Sequence, residues 1–183
     1  MSLIRQFFLL LFLRAGPEDM PAGQQPLLVA VVFYLVVGVL LDVAMTGEGV
    51  GGLGGGLLLL AADSLVLAGY SAGLAVLRDH RPRIPQMLTA LFGATAMLGL
   101  VAWPLVVMQP SGDVGDGAIG WWSLAMIALF AWNLVVLGQI YRRTLDFGAA
   151  LGVLAALGYF ILSSLIYTGL AVQLLPGENG LPT

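Results

Sequence analysis

Long apolar stretches separated by short polar turns make up most of this sequence. Five of them predict membrane spans, at residues 26–44, 57–77, 85–108, 118–141 and 147–175. At about 1.5 Å of rise per residue, a helix of this length crosses roughly 30 Å of hydrocarbon, which a soluble core helix has no need to do. The pattern therefore predicts an all-α fold, a polytopic membrane helical bundle of five transmembrane helices in one domain, with a polar tail at 176–183.

A shorter apolar stretch, residues 2–15, precedes the first span. Its apolar core is too short to cross a bilayer, and Arg5 and Arg14 flank that core. A cleavable signal peptide is one interpretation. Because the chain still begins with Met1, we favour a short interfacial helix whose two arginines lie at the headgroups on the cytoplasmic side. The stretch is apolar on nearly every side, so we expect little amphipathicity.

The positions of the basic residues predict the orientation. All seven are arginines, and they fall in three places: the N-terminal stretch, the turn at 78–83 and the turn at 142–143. Five spans put these three places on one side of the bilayer, whereas four or six would scatter them. Since cytoplasmic loops are enriched in Arg and Lys, we predict a cytoplasmic N-terminus and a periplasmic C-terminus in a bacterial inner membrane.

Composition restricts the chemistry that the chain can perform. Hydrophobic residues make up 60% of the 183 residues and charged residues 9%, whereas a soluble domain is about 25% charged. Cysteine is absent and His80 is the single histidine, so a metal site is not expected. The glycine-rich loop at 47–56 lacks the lysine of a phosphate-binding loop. With no HExxH or Cys–His pattern, we predict a non-enzymatic protein without catalytic residues, metal, cofactor or nucleic-acid partner.

One acid, Asp63, lies inside a predicted span, roughly two turns from its outer end and about 9 Å deep. An ionised carboxylate there costs several kcal/mol unless it is protonated, paired or hydrated. It is either a proton or cation site or, the interpretation that we favour, an acid hydrogen-bonded to Ser or Tyr within the bundle. Tyr167 and Thr168 are expected at a similar depth, and we predict that one of them is its partner. Asn133 is a further intramembrane polar candidate.

Two other sets of residues suggest contacts. The pairs Gly69/Gly73 and Gly148/Gly152 have the GxxxG spacing that lets helices approach closely. Packing within the bundle is favoured for them over a dimer. The basic turns are candidates for contact with anionic lipid or an acidic partner, with simple membrane anchoring as the favoured alternative. Their residues are Arg78, His80, Arg81, Arg83, Arg142 and Arg143.

Two runs in the sequence resemble a known family. They are residues 82–93, which read Pro-Arg-Ile-Pro-Gln-Met-Leu-Thr-Ala-Leu-Phe-Gly, and residues 132–145, which lead into an Ala/Gly-rich last span. With five spans and a cytoplasmic N-terminus, residues 26–175 resemble small bacterial membrane proteins related to the Yip1 family. The resemblance implies a helical, non-enzymatic integral membrane protein. Eukaryotic members bind Rab-type GTPases, but this sequence lacks their long cytoplasmic N-terminal region, so neither that role nor any functional residue is carried over.

Two functional hypotheses follow. The first is an accessory, scaffold or lipid-organising protein of the bacterial inner membrane, whose partners are membrane lipids and either another membrane protein or a second copy of itself. The alternative is a small transporter or channel subunit that uses Asp63.

Overall fold

A computed structural model describes residues 3–46, 52–109 and 120–174. These residues form helices and no strand, which confirms the predicted all-α bundle. The six α-helices are α1 Leu3–Leu11, α2 Gln24–Thr46, α3 Gly52–Leu77, α4 Ile84–Val107, α5 Trp121–Leu145 and α6 Ala149–Leu174. Helices α2 to α6 are each long and apolar enough to cross a membrane, so the chain is a multi-pass membrane protein.

Two helix ends differ from the predicted spans by more than three residues, and the others differ by three or fewer. Helix α3 begins at Gly52, inside the glycine-rich loop, rather than at residue 57. Helix formation satisfies backbone groups that have no water partner in lipid, which outweighs the cost of about 1 kcal/mol for each glycine. At the other end of the bundle, α5 continues through Arg142 and Arg143 to Leu145, and Asp146 ends it with φ 52°. Basic side chains suit the negative end of the helix dipole. The tail at 176–183 and the glycine loop at 47–51 lie outside the described residues.

Helix α4 is the centre of the bundle. It packs against α1, α2, α3 and α5, while α6 packs against α3 and α5. Its first half is almost completely buried, and small residues there let neighbouring helices come close. Gly93 is one such position, because a Cβ at this glycine would overlap the ring of Phe7 in α1. The aromatic ring of Phe7 therefore docks onto bare backbone.

The N-terminal stretch, in which we expect little amphipathicity, forms a helix with a buried side and an exposed side. Phe7, Leu10 and Leu11 are buried in the core against α4. Large apolar residues spaced at the helical period are exposed along α1 and just after it: Ile4, Phe8 and Phe12. Both faces are apolar, so a hydropathy pattern does not separate them. Helix α1 thus packs within the bundle on one side and exposes apolar side chains on another.

The three arginine-bearing segments meet at one end of the bundle. Arg143 Nη1 lies 3.1 Å from Glu18 Oε1, and Arg83 Nη1 lies 3.2 Å from Asp146 Oδ2. The amide of Gln86 donates to the backbone oxygen of Met20 at 3.0 Å. We call this end, formed by residues 17–20, 78–86 and 142–147, the basic end. Five crossings place these segments together as the sequence predicts, and the compartment that this end faces stays a prediction.

Candidate functional site

The carboxylate of Asp63 lies near the middle of α3, where it accepts hydrogen bonds from three hydroxyl groups. Tyr34 of α2 donates a hydrogen bond to its Oδ2. Tyr159 of α6 donates from 3.1 Å to either oxygen, and Ser163, one turn further along α6, donates to Oδ1. We call these four residues the Asp63 cluster.

Asp63 lies further from the start of its helix than from the start of the predicted span. It follows Gly52, the first residue of α3, by 63 − 52 = 11 positions, which is about 16 Å along the helix axis. The predicted span began at residue 57, so the expected depth of about 9 Å was counted from a later residue, and the depth of Asp63 in the bilayer stays a prediction. At this depth an unpaired charge is costly. An ionised carboxylate only accepts hydrogen bonds, so all three hydroxyls can donate to it at once and tie α2 and α6 to α3.

The predicted partners of Asp63 are wrong. Tyr167 is 45% exposed and Thr168 is exposed, and neither forms a described hydrogen bond with the carboxylate. Tyr167 only lines, with Asp63, a void of about 10 Å³, which holds one water at most. Depth alone suggested Tyr167, but the direction around the helix decides which residues reach α3. The spacing of four between Tyr159 and Ser163 placed both on one face of α6 and is the signal that was missed.

A second set of polar contacts joins the helices closer to the basic end. The hydroxyls of Ser71 and Tyr141 lie 2.8 Å apart in the core, and the hydroxyl of Tyr70 donates to the backbone oxygen of Ala155 at 2.8 Å. The rings of Tyr70 and Tyr141 meet edge to face, with centroids 6.3 Å apart. These contacts link α3 to α5 and α6.

Asn133 does not join the Asp63 cluster. It lies on α5 and lines a groove between α2, α4 and α5, with a volume of about 300 Å³. Its Oδ1 atom is buried and has no hydrogen-bond partner among the described residues, and the same is true of Thr95 Oγ1 in this groove. Tyr34 separates the groove from Asp63, because it lines the groove and donates to the carboxylate.

At the basic end, Asp146 connects the two predicted basic turns. Its Oδ2 atom lies 2.8 Å from His80 Nε2 and 3.2 Å from Arg83 Nη1. The other ring nitrogen of His80 lies 2.5 Å from the backbone oxygen of Arg78. The hydrogen bond from His80, followed by the charge of Arg83, holds the pKa of Asp146 below its usual value. The contacts with His80 and Arg83 therefore favour the ionised form of Asp146.

A cavity of about 270 Å³ lies beside these contacts. Arg83, Gln86 and Arg143 line it together with the acids Glu18 and Asp146. Arg142 lines a neighbouring cavity of about 420 Å³, and Arg143 borders both. The other predicted contact residues lie elsewhere: the guanidinium of Arg78 sits 4.9 Å above the ring centre of Phe147, and Arg81 is exposed on its turn. Arginine donors are thus concentrated around two adjoining polar cavities.

The two glycine pairs differ. Gly69 and Gly73 are exposed, and a Cβ added at either would meet nothing within 4 Å, so packing within the bundle is the wrong interpretation for this pair. Gly152 does pack within the bundle, because an added Cβ would overlap the backbone oxygen of Gly138 in α5. Gly148 faces open space. Only the α5–α6 contact uses a glycine in the predicted way.

Two groups of residues therefore qualify as candidate sites, the Asp63 cluster and the cavity at the basic end. The first can hold helices together or hold a proton or one small cation, and the second can hold an anion. Within the described residues, no three His, Cys, Asp or Glu side chains gather as they would around a metal ion. A scan against protein-family models and searches of curated proteins and solved structures found no match to this chain.

Proposed function

We propose that this chain is a non-enzymatic, Yip1-like accessory or scaffold protein of a bacterial inner membrane, which organises anionic lipid at its basic end. The observation that supports this proposal is the cavity of about 270 Å³ to which Arg83 and Arg143 both contribute. Arg83 comes from the turn before α4 and Arg143 from the last turn of α5, and only the fold brings them together. In this proposal the basic end faces the cytoplasm, where Arg-rich loops are retained.

The arginines of this cavity are available to a lipid phosphate. Guanidinium groups donate pairs of hydrogen bonds to phosphate oxygens. Arg83 and Arg143 are paired with Asp146 and Glu18, but their side chains are 50% and 34% exposed. Such exposed ion pairs contribute about 0–1 kcal/mol. A phosphate can therefore displace one carboxylate partner at small cost, while the exposed Arg142 lines the adjoining cavity.

Helix α1 supplies apolar surface next to this cavity. The turn at Pro17 and Glu18, which lines the cavity, follows α1, and the amide of Gln6 in α1 donates to the backbone oxygen of Asp19 at 2.8 Å. Ile4 and Phe8 of α1 are exposed, and so is Phe12, which directly follows this helix. An apolar stripe beside a cationic cavity suits a lipid, which has acyl chains and a phosphate, better than a soluble acidic protein.

The test is lipid retention by the purified chain. Native mass spectrometry is applied to protein from membranes that contain phosphatidylglycerol and phosphatidylcholine. We expect the wild type to retain phosphatidylglycerol preferentially and the double variant Arg83→Gln/Arg143→Gln to retain about tenfold less, since two charge-assisted contacts are lost.

The matched control is Arg5→Gln/Arg14→Gln, which removes the same charge outside the cavity and should keep the preference. Equal retention of both lipids by the wild type, or an equal loss in both double variants, would contradict the proposal.

The alternative function, a small transporter or channel subunit that uses Asp63, receives less support. Three hydroxyl donors occupy the carboxylate, and the adjoining void of about 10 Å³ is too small for a hydrated ion. A structural clasp of α2, α3 and α6 explains the same contacts without any transported species.

A further inference from the structure

An apolar groove lies between α2, α4 and α5. Its volume is about 300 Å³, and none of its described lining residues is charged. The walls are mainly the side chains of Val37, Leu41, Leu98, Met126, Leu129 and Phe130. Leu40, Val101 and Ile127, on the same three helices, are exposed large apolar residues. The groove therefore opens onto the surface that lipid covers.

Two polar atoms in this apolar groove have no partner. Threonines in the middle of helices commonly donate back to the preceding turn, and Thr89 and Thr144 do so at 2.7 and 2.9 Å. Thr95 does not, and its Oγ1 atom is buried without a hydrogen bond in the described structure. Asn133 Oδ1 is buried and unpaired in the same way. Native proteins seldom leave such atoms unsatisfied, so the groove has the polar features of a ligand site.

The depth of these atoms restricts the polar group that can reach them. Thr95 follows Ile84, the start of α4, by 95 − 84 = 11 residues, and Asn133 follows Trp121, the start of α5, by 133 − 121 = 12 residues. Both positions are about 16–18 Å from a helix end. Phosphate headgroups lie at the membrane surface, and a charged group at mid-membrane is costly. The polar group of an occupant must therefore be neutral.

Hydrogen-bond chemistry narrows the class further. The Oδ1 atom of Asn133 only accepts, so the occupant must donate to it. The hydroxyl of Thr95 can donate to an acceptor on the same occupant. A hydroxyl group both donates and accepts, whereas a hydrocarbon does neither and a carboxylate cannot donate.

We propose that the groove binds an uncharged lipid with a long apolar chain and a free hydroxyl group, which pairs with Thr95 and Asn133. The apolar walls hold the chain, and the two unpaired atoms hold the hydroxyl. This site does not use the basic end, so its failure would leave the proposal on anionic lipid untouched.

Photolabelling of the full chain in phosphatidylcholine nanodiscs tests this proposal. The probes are a long-chain alcohol carrying a diazirine, the matched alkane and the matched fatty acid. Mass spectrometry locates the adducts. We expect the alcohol to label groove residues more than either matched probe does. Thr95→Val and Asn133→Leu should each lower this labelling about fivefold, as loss of one hydrogen bond predicts.

The control is Thr89→Val, which removes a hydroxyl from the same helix outside the groove and should keep wild-type labelling. If a polar-to-apolar variant does not fold, Ala102→Leu fills the groove and should abolish labelling by the alcohol. Equal labelling by alcohol and alkane would overturn the proposal, as would labelling that survives these variants. A cross-link between two copies through position 133 would also overturn it, because a second chain would then occupy the groove.

Discussion

The carboxylate of Asp63 lies within an apolar helix, where an unpaired charge is costly. Three hydroxyl groups donate hydrogen bonds to it. It lies about halfway along α3, where lipid offers no hydrogen bonds, and hydroxyls from α2 and α6 supply them. The sequence alone singles out this acid, because a carboxylate within an apolar run is rare. Its partners were not predictable from depth, since α6 carries several hydroxyls and only its rotation decides which of them face α3.

The first prediction concerns Asp63→Asn. An amide has one acceptor oxygen where the carboxylate has two, and it adds donors that face other donors. We expect a loss of about 1–3 kcal/mol in the free energy of unfolding, because at least one hydroxyl loses its partner. The measurement is denaturant unfolding in detergent micelles.

Asp79→Asn, a matched change on the exposed turn after α3, should have little effect. A proton or ion flux in liposomes that disappears in Asp63→Asn without any loss of stability would instead favour the transporter alternative.

At the scale of elements, glycine positions decide which helices touch closely. Gly93 accepts the ring of Phe7, and Gly152 meets the backbone of Gly138, whereas a Cβ added at Gly69 or Gly73 would meet no described residue within 4 Å. The four-residue spacing that made the last pair conspicuous does not show which way the helix faces. The sequence likewise does not show which side of α1 is buried, because its buried and exposed sides are both apolar.

The second prediction compares two glycine-to-alanine variants. Gly93→Ala should push α1 away from α4, because the new methyl group overlaps a rigid ring, and should destabilise the protein by about 1–3 kcal/mol. Maleimide labelling of a cysteine introduced at Leu10 should also become faster. Gly69→Ala adds the same methyl group in open space and should be neutral or stabilising by up to about 1 kcal/mol.

Adding Phe7→Ala to Gly93→Ala should restore slow labelling if steric overlap is the cause. A large loss of stability in Gly69→Ala would contradict the assignment and would point to a second copy packed on α3.

For the whole molecule, the basic end ties the five spans together at one side. Asp146 joins the turn between α3 and α4 to the turn between α5 and α6, and Glu18 joins the N-terminal segment to α5. Each contact links segments that are far apart in the chain. The same contacts place the arginines around the cavities in which we propose that lipid binds.

The third prediction is a pH dependence that comes from Asp146. Its folded-state pKa is lowered, chiefly by the hydrogen bond from His80. A lowered pKa contributes stability above the unfolded-state value, which is about 3.9, and the contribution is lost as the pH falls through the folded-state pKa. Wild-type stability should therefore fall below about pH 4 more steeply than that of Asp146→Asn, in which asparagine tolerates the positive φ.

Thermal unfolding between pH 2 and 7 measures this difference. His80→Gln should raise the pKa of Asp146 in a carboxyl NMR titration, whereas Arg81→Gln, on the same turn, should not. Parallel stability profiles for the wild type and Asp146→Asn would contradict the prediction.

What the sequence determined by itself is the class of the molecule and the number of its spans. Hydrocarbon thickness sets the required length of each helix, so a local count of apolar residues is sufficient. The positions of the arginines further indicated that three segments share one end, because five crossings alternate sides. Both inferences rest on properties that each stretch of chain has without its neighbours.

Tertiary structure alone decided which face of each helix meets another. Helices that are apolar all round carry no sequence pattern that distinguishes inside from outside, because lipid and core favour the same side chains. The rotation of each helix about its axis decides three of the contacts described above. It brings Tyr159 rather than Tyr167 to Asp63, it lets Phe7 pack on Gly93, and it leaves Gly69 exposed. Side-chain packing and a few buried hydrogen bonds set it, and these exist only when the helices are assembled.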